Sequence, residues 1–129
     1  MSIQEQTKYF MDSAEYDLSV AETLFQNGHY PWCLFIGHLT LEKALKAFFI
    51  KDNQKTPPKT HNLVMLSKST RLALTSEQEQ FLDKINDFNI EARYPDIKLQ
   101  FYKICTKEFT TENFIKIKEF YKWLKLQMT

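Results

Sequence analysis

One stretch of the sequence limits the possible folds more than any other. Residues 31–51, PWCLFIGHLTLEKALKAFFIK, begin with Pro31, which suits the first position of a helix because no N–H is needed there. Along that helix the apolar side chains occupy most sides: Trp32, Leu34, Phe35, Ile36, Leu39, Leu41, Leu45, Phe48 and Phe49. A helix that is apolar nearly all round is buried against several neighbours or against another subunit. We therefore predict that this is the central and most buried helix.

The first and last helices are predicted from apolar residues that recur at steps of three and four, which places them on one helix face. The first spans residues 4–26 and ends before Gly28, a residue that readily takes the left-handed conformation found after many helices. The last spans residues 111–127. Their apolar faces comprise Phe10, Ala14, Leu18, Ala21 and Phe25 in the first helix, and Phe114, Ile117, Tyr121, Leu124 and Met128 in the last.

Two more helices are predicted between these. Pro57 and Pro58 cannot continue a helix, so we predict a loop after the central helix. Thr60 or Asn62 is then expected to cap a short third helix. A fourth, long helix is predicted to begin with Ser76 as its N-cap, and its inward face is expected to carry Phe81, Ile85, Phe88 and Ala92.

The fourth helix is predicted to end at Tyr94, because the residue before a proline is pushed out of helical dihedral angles. In residues 96–109 the apolar side chains of Ile97, Leu99 and Phe101 alternate as in a strand, but no partner strand is in sight. We predict a packed loop there.

The composition fits a single globular domain over residues 1–129, with 43% hydrophobic and 26% charged residues. Two glycines and four prolines are too few for an all-β fold with many turns. No apolar run is long enough to cross a membrane, and the first residues lack the order of a signal peptide. Cys33 and Cys105 form neither a close pair nor a metal-binding spacing, which favours reduced thiols in a cytoplasmic protein.

The formal net charge of +1 conceals segments of opposite sign. Residues 1–30 carry five acidic side chains against one lysine, whereas residues 43–71 carry seven basic side chains against one aspartate. Acidic charge dominates again in residues 77–96 and basic charge in residues 97–129. Two interpretations remain open: acidic and basic helices pair across a bundle, or a basic patch attracts phosphates.

Three separated motifs, in this order, resemble the HEPN domain family of small prokaryotic helical proteins. They are SAEYDLSVAETLFQNGHYPWCLFIGHLTLEKALKAFFI, then PPKTHNL, then EARYPD, and together they span most of the chain. The resemblance implies an all-α fold, an up-and-down four-helix bundle with one extra short helix, and a homodimer. It also implies the functions that occur in this family: nucleotide binding, toxin–antitoxin pairs with a minimal nucleotidyltransferase partner, and metal-independent ribonuclease activity.

The ribonuclease members of the family carry an arginine followed, after four to six residues, by a histidine. Arg93 occupies the arginine position, but Lys98, Leu99 and Gln100 stand where the histidine is expected. The last histidine of the sequence is His61. The resemblance therefore implies the fold and the class of protein, whereas the ribonuclease motif is incomplete.

Arg93 is the leading candidate for a binding residue, and Glu91 and Asp96 flank it. An arginine at a helix end can hold a phosphate with two parallel hydrogen bonds, and the family's arginine stands in the same place. Alternatively, Arg93 pairs with one of the two carboxylates and fixes the turn before Pro95.

A polar stripe interrupts the apolar central helix, because His38, Glu42 and Lys46 follow one another at steps of four. One hypothesis is a cleft shared with Arg93, in which His38 acts as an acid or base. The alternative is a hydrogen-bonded buried network or a solvent-facing edge. Zinc is not expected, because no third and fourth ligand stand at a suitable spacing.

Lys59 and His61 lie in the loop before the short helix, where His61 either binds an anion or caps the helix. Asp17 is expected to pair with a buried lysine or histidine. No glycine-rich phosphate loop or nucleophile motif occurs, so no cofactor is expected.

The sequence thus favours a HEPN accessory or interaction protein that binds a nucleotide, an RNA or a nucleotidyltransferase partner. The alternatives are a ribonuclease in which His38 or His61 replaces the missing histidine, and a purely structural dimer.

Overall fold

The computed structural model describes the side chains of residues 1–89 and 99–128, together with the helical backbone of residues 90–93 and 95–98. The described part of the chain contains helices and no strand, as the sequence predicts. The helices are α1 (Ile3–Gln26), α2 (Tyr30–Asn53), α3 (Leu63–Lys68), α4 (Ser76–Arg93), α5 (Pro95–Ile104) and α6 (Lys107–Gln127).

The four long helices α1, α2, α4 and α6 form a bundle in which consecutive members run in opposite directions. The ring of Phe25 near the end of α1 contacts Phe114 near the start of α6, with 5.7 Å between ring centroids. Further along α6, the Tyr121 hydroxyl donates a hydrogen bond to Glu15 in the middle of α1. Residue pairs between α4 and α6 show the same antiparallel order, namely Phe81 with Phe120 and Phe88 with Phe109.

Helix α2 is the central helix, as predicted. Thirteen of its residues are buried, including Leu34, Leu41, Leu45 and Ile50 at 0% exposure. Gly37 allows α6 to approach closely, since a Cβ atom there would lie 2.8 Å from Cδ1 of Ile117.

Two large apolar side chains near the end of α2 are covered within one chain. Phe48 is 2% and Phe49 is 8% exposed, because α2 is surrounded by the other helices. In contrast, Trp32 at the start of α2 remains 40% exposed.

Most helix starts agree with the sequence, with one correction at α4. Asn62 caps α3 by accepting a hydrogen bond from the Met65 N–H at 3.2 Å. Helix α4 is capped by Thr75 and not by Ser76: the Thr75 hydroxyl accepts from the Gln78 N–H, and the Gln78 side chain accepts from the Thr75 N–H. This reciprocal pair satisfies two donors at once, so the chain becomes helical one residue earlier than predicted.

The prediction of a packed loop over residues 96–109 is wrong. Helix α5 begins at Pro95, since proline is well suited to a first helical position, and α6 begins at Lys107. Phe101 and Cys105 point inward at 1% and 5% exposure, and the Phe101 ring lies 5.4 Å from that of Phe88. The buried side chains of α5 are thus four residues apart, as on one face of a helix, and do not alternate as they would in a strand.

Acidic α1 pairs with basic side chains of its neighbours. The Lys43 ammonium lies 2.8 Å from the Asp17 carboxylate, so Asp17 pairs with a lysine as expected, but this lysine is half-buried and not buried. Lys118 and Lys125 of α6 pair with Glu22 and Glu15 at 3.7 and 3.5 Å. The segmental charges therefore face one another across the bundle. Among the described residues, no helix is long and apolar enough to span a membrane.

Candidate functional site

The carboxylate of Glu42 is the centre of a network that joins α2 to the loop before α3. Its Oε1 accepts a hydrogen bond from Nδ1 of His61 at 2.7 Å, and its Oε2 accepts one from Nζ of Lys46 at 3.1 Å. The side chain of Glu42 is only 7% exposed. Two cationic or donor groups thus compensate a carboxylate that has been removed from water.

His38 extends the network on the inner side. Its Nε2 lies 3.0 Å from the carbonyl oxygen of His61, and its Nδ1 lies 4.0 Å from Oε1 of Glu42. A carbonyl oxygen can only accept, so Nε2 of His38 carries the hydrogen. His38 is fully buried, so its imidazole is removed from solvent. Its hydrogen bond to the His61 carbonyl holds that part of the backbone in place.

His61 is the member of the network that reaches the surface. Its side chain is 50% exposed. The Glu42 carboxylate accepts from Nδ1, so Nδ1 carries a hydrogen and the opposite edge of the ring, with Nε2, is directed away from Glu42. A carboxylate that fixes the orientation of an imidazole in this way prepares the other ring nitrogen to exchange a proton.

The loop that carries His61 is tied to α4 by asparagines. The Leu63 N–H donates to Oδ1 of Asn86 at 2.8 Å, and Nδ2 of Asn86 donates to Oδ1 of Asn62 at 3.1 Å. The Thr60 hydroxyl accepts from the Asn62 N–H within the loop. These bonds position His61 over Glu42.

The structure brings some of the predicted site residues together. His38, Glu42 and Lys46 form the predicted stripe. Of the interpretations offered for it, the structure shows the buried hydrogen-bonded network. His61 is not a helix cap, because Asn62 has that role, and it joins the same network instead. Lys59 is exposed in the adjacent loop.

The side chains of Glu91, Arg93 and Asp96 lie outside the described residues. The backbone places Arg93 as the last residue of α4, seven positions after Asn86. Seven residues are close to two helical turns, so both positions lie on nearly the same face of α4. That face carries Asn86, which bonds to the loop of His61.

Asn86 is the site residue that the sequence did not predict. It stands within the fourth helix among polar residues, and nothing local distinguishes it from a solvent-facing side chain. The sequence signal that could have indicated Asn86 as a site residue is its position two turns before Arg93 on the same helix face.

Neither cysteine offers a nucleophile, and no metal centre is formed within the described residues. Burial raises the pKa of the Cys33 thiol to about 12, so it stays protonated at neutral pH. Cys105 is also buried, at 5% exposure. No group of three or more His, Cys, Asp or Glu side chains among the described residues is arranged to hold a metal ion.

Comparison with protein families gives one clear result: the HEPN domain model matches residues 7–127. The fold is similar to that of TT1696 from Thermus thermophilus, with a TM-score of 0.81 and 15% identity over 95% of this chain and 98% of the other. It is also similar to that of ST0689, an archaeal HEPN homologue, with a TM-score of 0.73, 21% identity and the same coverage. No curated protein matches the sequence.

Proposed function

Because this chain belongs to the HEPN domain family, we propose that it is a HEPN accessory protein that binds the phosphates of a nucleotide or RNA. The binding region comprises Arg93 at the end of α4 and His61 in the loop before α3. Binding, and not catalysis, is its activity, because the family's ribonuclease motif lacks its histidine after Arg93.

The observation that supports this proposal is the orientation of His61 by Glu42. The 2.7 Å hydrogen bond to a buried carboxylate holds the imidazole in place while half of the His61 side chain remains exposed. The same loop carries Lys55 and Lys59, with no acidic residue between Asp52 and His61. Exposed lysines beside this positioned imidazole favour an anionic ligand.

The binding test compares the two arginines of the chain. A fluorescein-labelled single-stranded RNA is titrated with wild-type protein and with Arg93→Ala and Arg71→Ala, and anisotropy is recorded. We expect Arg93→Ala to weaken binding by about tenfold or more, because a charge-assisted bidentate contact is lost. Arg71 is exposed, and its backbone N–H donates to Asp52 near the C-terminal end of α2, so Arg71→Ala is the matched control for charge and should stay within about twofold.

The salt dependence separates phosphate contacts from other effects. Loss of one phosphate contact lowers the slope of log affinity against log salt by about one. Equal affinities and slopes for the two arginine variants would refute the Arg93 assignment. His61→Ala should also weaken binding. His29→Ala removes a surface imidazole elsewhere on the protein and is the control for the loss of a histidine as such.

A second candidate function is metal-independent RNA cleavage with His61 as the acid or base. The Glu42–His61 pair favours it, because a carboxylate-oriented imidazole is the usual arrangement of such a group. Cleavage of RNA in the presence of a chelator, lost in His61→Ala and in Arg93→Ala, would support this function over binding alone.

We also propose that the protein is a homodimer and that a minimal nucleotidyltransferase is its partner. The partially exposed Trp32 supports the first part, since large exposed aromatic side chains are enriched at interfaces. Light scattering at micromolar concentration should give twice the chain mass of 15.4 kDa. A mass of one chain would argue against the dimer and leave the binding proposal standing.

A further inference from the structure

A groove of about 470 Å³ runs along the surface between α4 and α6. Three of the residues that line it are aromatic, namely Phe81 of α4 and Phe120 and Trp123 of α6. The ring centroids of Phe81 and Phe120 are 6.1 Å apart, and those of Phe120 and Trp123 are 5.6 Å apart. Phe81 and Trp123 are only partly buried, so the floor of the groove presents apolar ring surface.

The charged side chains of the groove are sorted by sign along its length. On α4, Glu77 precedes Lys84 by seven residues, and on α6, Glu119 follows Lys116 by three. The two helices are antiparallel, so on both walls the carboxylate lies on the side of the lysine that is nearer the start of α4. The groove therefore has an acidic end, with Glu77 and Glu119, and a basic end, with Lys84 and Lys116.

The contacts of the two lysines place their ammonium groups at the basic end. Nζ of Lys84 lies 5.5 Å from the centroid of the Phe109 ring, and Nζ of Lys116 lies 3.6 Å from the carboxylate of Glu112. Phe109 and Glu112 belong to the first two turns of α6, so both lysine side chains extend away from Glu77. Glu112 offsets one of the two positive charges, and the basic end keeps the other.

A helix matches this groove in length and in polarity. From Glu77 to Lys84, α4 rises by about 10.5 Å, which is about two helical turns. Apolar side chains at positions i, i+4 and i+7 of a second helix cover the same length on one face. A helix also carries partial positive charge at its N-terminal end and partial negative charge at its C-terminal end, whereas a small ligand with one charge would be repelled at one end of the groove.

We propose that the groove between α4 and α6 binds an amphipathic helix of a protein partner. The partner helix runs parallel to α4, with its N-terminal end at the acidic end and its apolar face on the three aromatic rings. Basic side chains in its first turn and acidic side chains in its last turn complement the charges of the groove. The proposal is independent of RNA binding by Arg93 and His61.

Two synthetic peptides of about sixteen residues test this proposal, each held helical by a hydrocarbon staple on its polar face. Both carry leucines at positions i, i+4 and i+7. One has lysines in its first turn and glutamates in its last turn, and in the other these charges are exchanged. Each peptide is titrated into the Trp32→Phe protein, in which Trp123 is the remaining indole, while tryptophan emission is recorded.

We expect the peptide with N-terminal lysines to change the Trp123 emission saturably and to bind about tenfold more tightly than the other, because several charge pairs change sign at once. The decisive variant exchanges the charges of the groove, through Glu77→Lys, Glu119→Lys, Lys84→Glu and Lys116→Glu. In that protein the preference between the two peptides should reverse.

The matched control exchanges two charges of the same helices that do not line the groove. Asp83 of α4 and Lys122 of α6 are both exposed, so Asp83→Lys with Lys122→Glu should keep the original preference. Circular dichroism verifies that every variant is folded.

Three results would overturn the proposal. Trp123 emission that stays unchanged with both peptides at about 1 mM would show that the groove does not bind a helix. Equal affinities of the two peptides, or a preference that survives the exchange of the groove charges, would refute the assigned polarity. A Trp123→Arg protein that changes from two copies to one in light scattering would identify the groove as a contact between copies instead.

Discussion

Glu42 is the residue on which the candidate site depends. It is buried in the central helix, and its two carboxylate oxygens accept from different partners, Lys46 and His61. A buried ion pair contributes little when compared with an apolar replacement, but removal of one member leaves an uncompensated charge. The cost of losing Glu42 should therefore exceed that of losing a surface glutamate.

Glu42→Ala is expected to lower the free energy of unfolding by about 3 kcal/mol, because Lys46, whose side chain is 13% exposed, is left without its carboxylate. Glu112 also precedes a lysine by four positions, and its 3.6 Å pair with Lys116 is exposed. Glu112→Ala should therefore cost less than about 1 kcal/mol. Urea unfolding followed by circular dichroism measures both, and similar losses in the two variants would contradict the buried network.

The sequence predicts only part of this network, and the reason is distance along the chain. His38, Glu42 and Lys46 are four residues apart on one helix, so their common face follows from helix geometry alone. His61 joins them from nineteen residues after Glu42, through a loop whose path depends on Asn86 of another helix. Side chains that meet through loop placement leave no periodic signal.

Cys33 gives a prediction for pH dependence. Burial raises its thiol pKa from 9.0 to about 12, so the unfolded chain loses this proton near pH 9 while the folded chain keeps it. The thiol therefore favours the folded state below pH 9, and that contribution is lost as pH rises toward 12, by about 1.4 kcal/mol per pH unit. Urea unfolding at about pH 8.5 and about pH 10 should show a larger loss for wild type than for Cys33→Ala. The same pH dependence in both proteins would contradict this assignment.

Helix α5 is the element that the sequence did not predict. The alternation of Ile97, Leu99 and Phe101 and the preceding proline both suggested irregular chain. The structure resolves the ambiguity through packing, because Phe101 is buried against Phe88 whereas Leu99 is 67% exposed. Short apolar runs do not distinguish a strand from a helix until a neighbouring element selects the buried face.

Phe101→Ala and Leu99→Ala test whether α5 packs as a helix. Phe101→Ala should lower the free energy of unfolding by about 3 kcal/mol, because a buried ring is removed. Leu99→Ala, in the same helix, should change it by less than about 0.5 kcal/mol. Chemical denaturation of the two variants decides the matter, and a large loss for Leu99→Ala would mean that this side chain is buried in the protein in solution.

At the scale of the whole molecule, the bundle distributes charge unevenly. Acidic side chains of α1 are paired with Lys43, Lys118 and Lys125. The lysines of the loop between α2 and α3 have no such acidic helix opposite them among the described residues, and Lys55 and Lys59 are exposed. The two interpretations of the charge pattern are therefore compatible, since pairing stabilises the bundle and the remaining basic side chains are directed to solvent.

We propose that this HEPN protein binds RNA without cleaving it, because general acid–base catalysis contributes about 10²–10⁴ in rate and the usual histidine is missing. To test this, labelled single-stranded RNA is incubated with purified protein and a chelator, then analysed both by native gel for binding and by denaturing gel for cleavage. We predict a shifted complex that contains intact RNA and that is weakened in Arg93→Ala. Rapid cleavage that disappears in Arg93→Ala would contradict the claim.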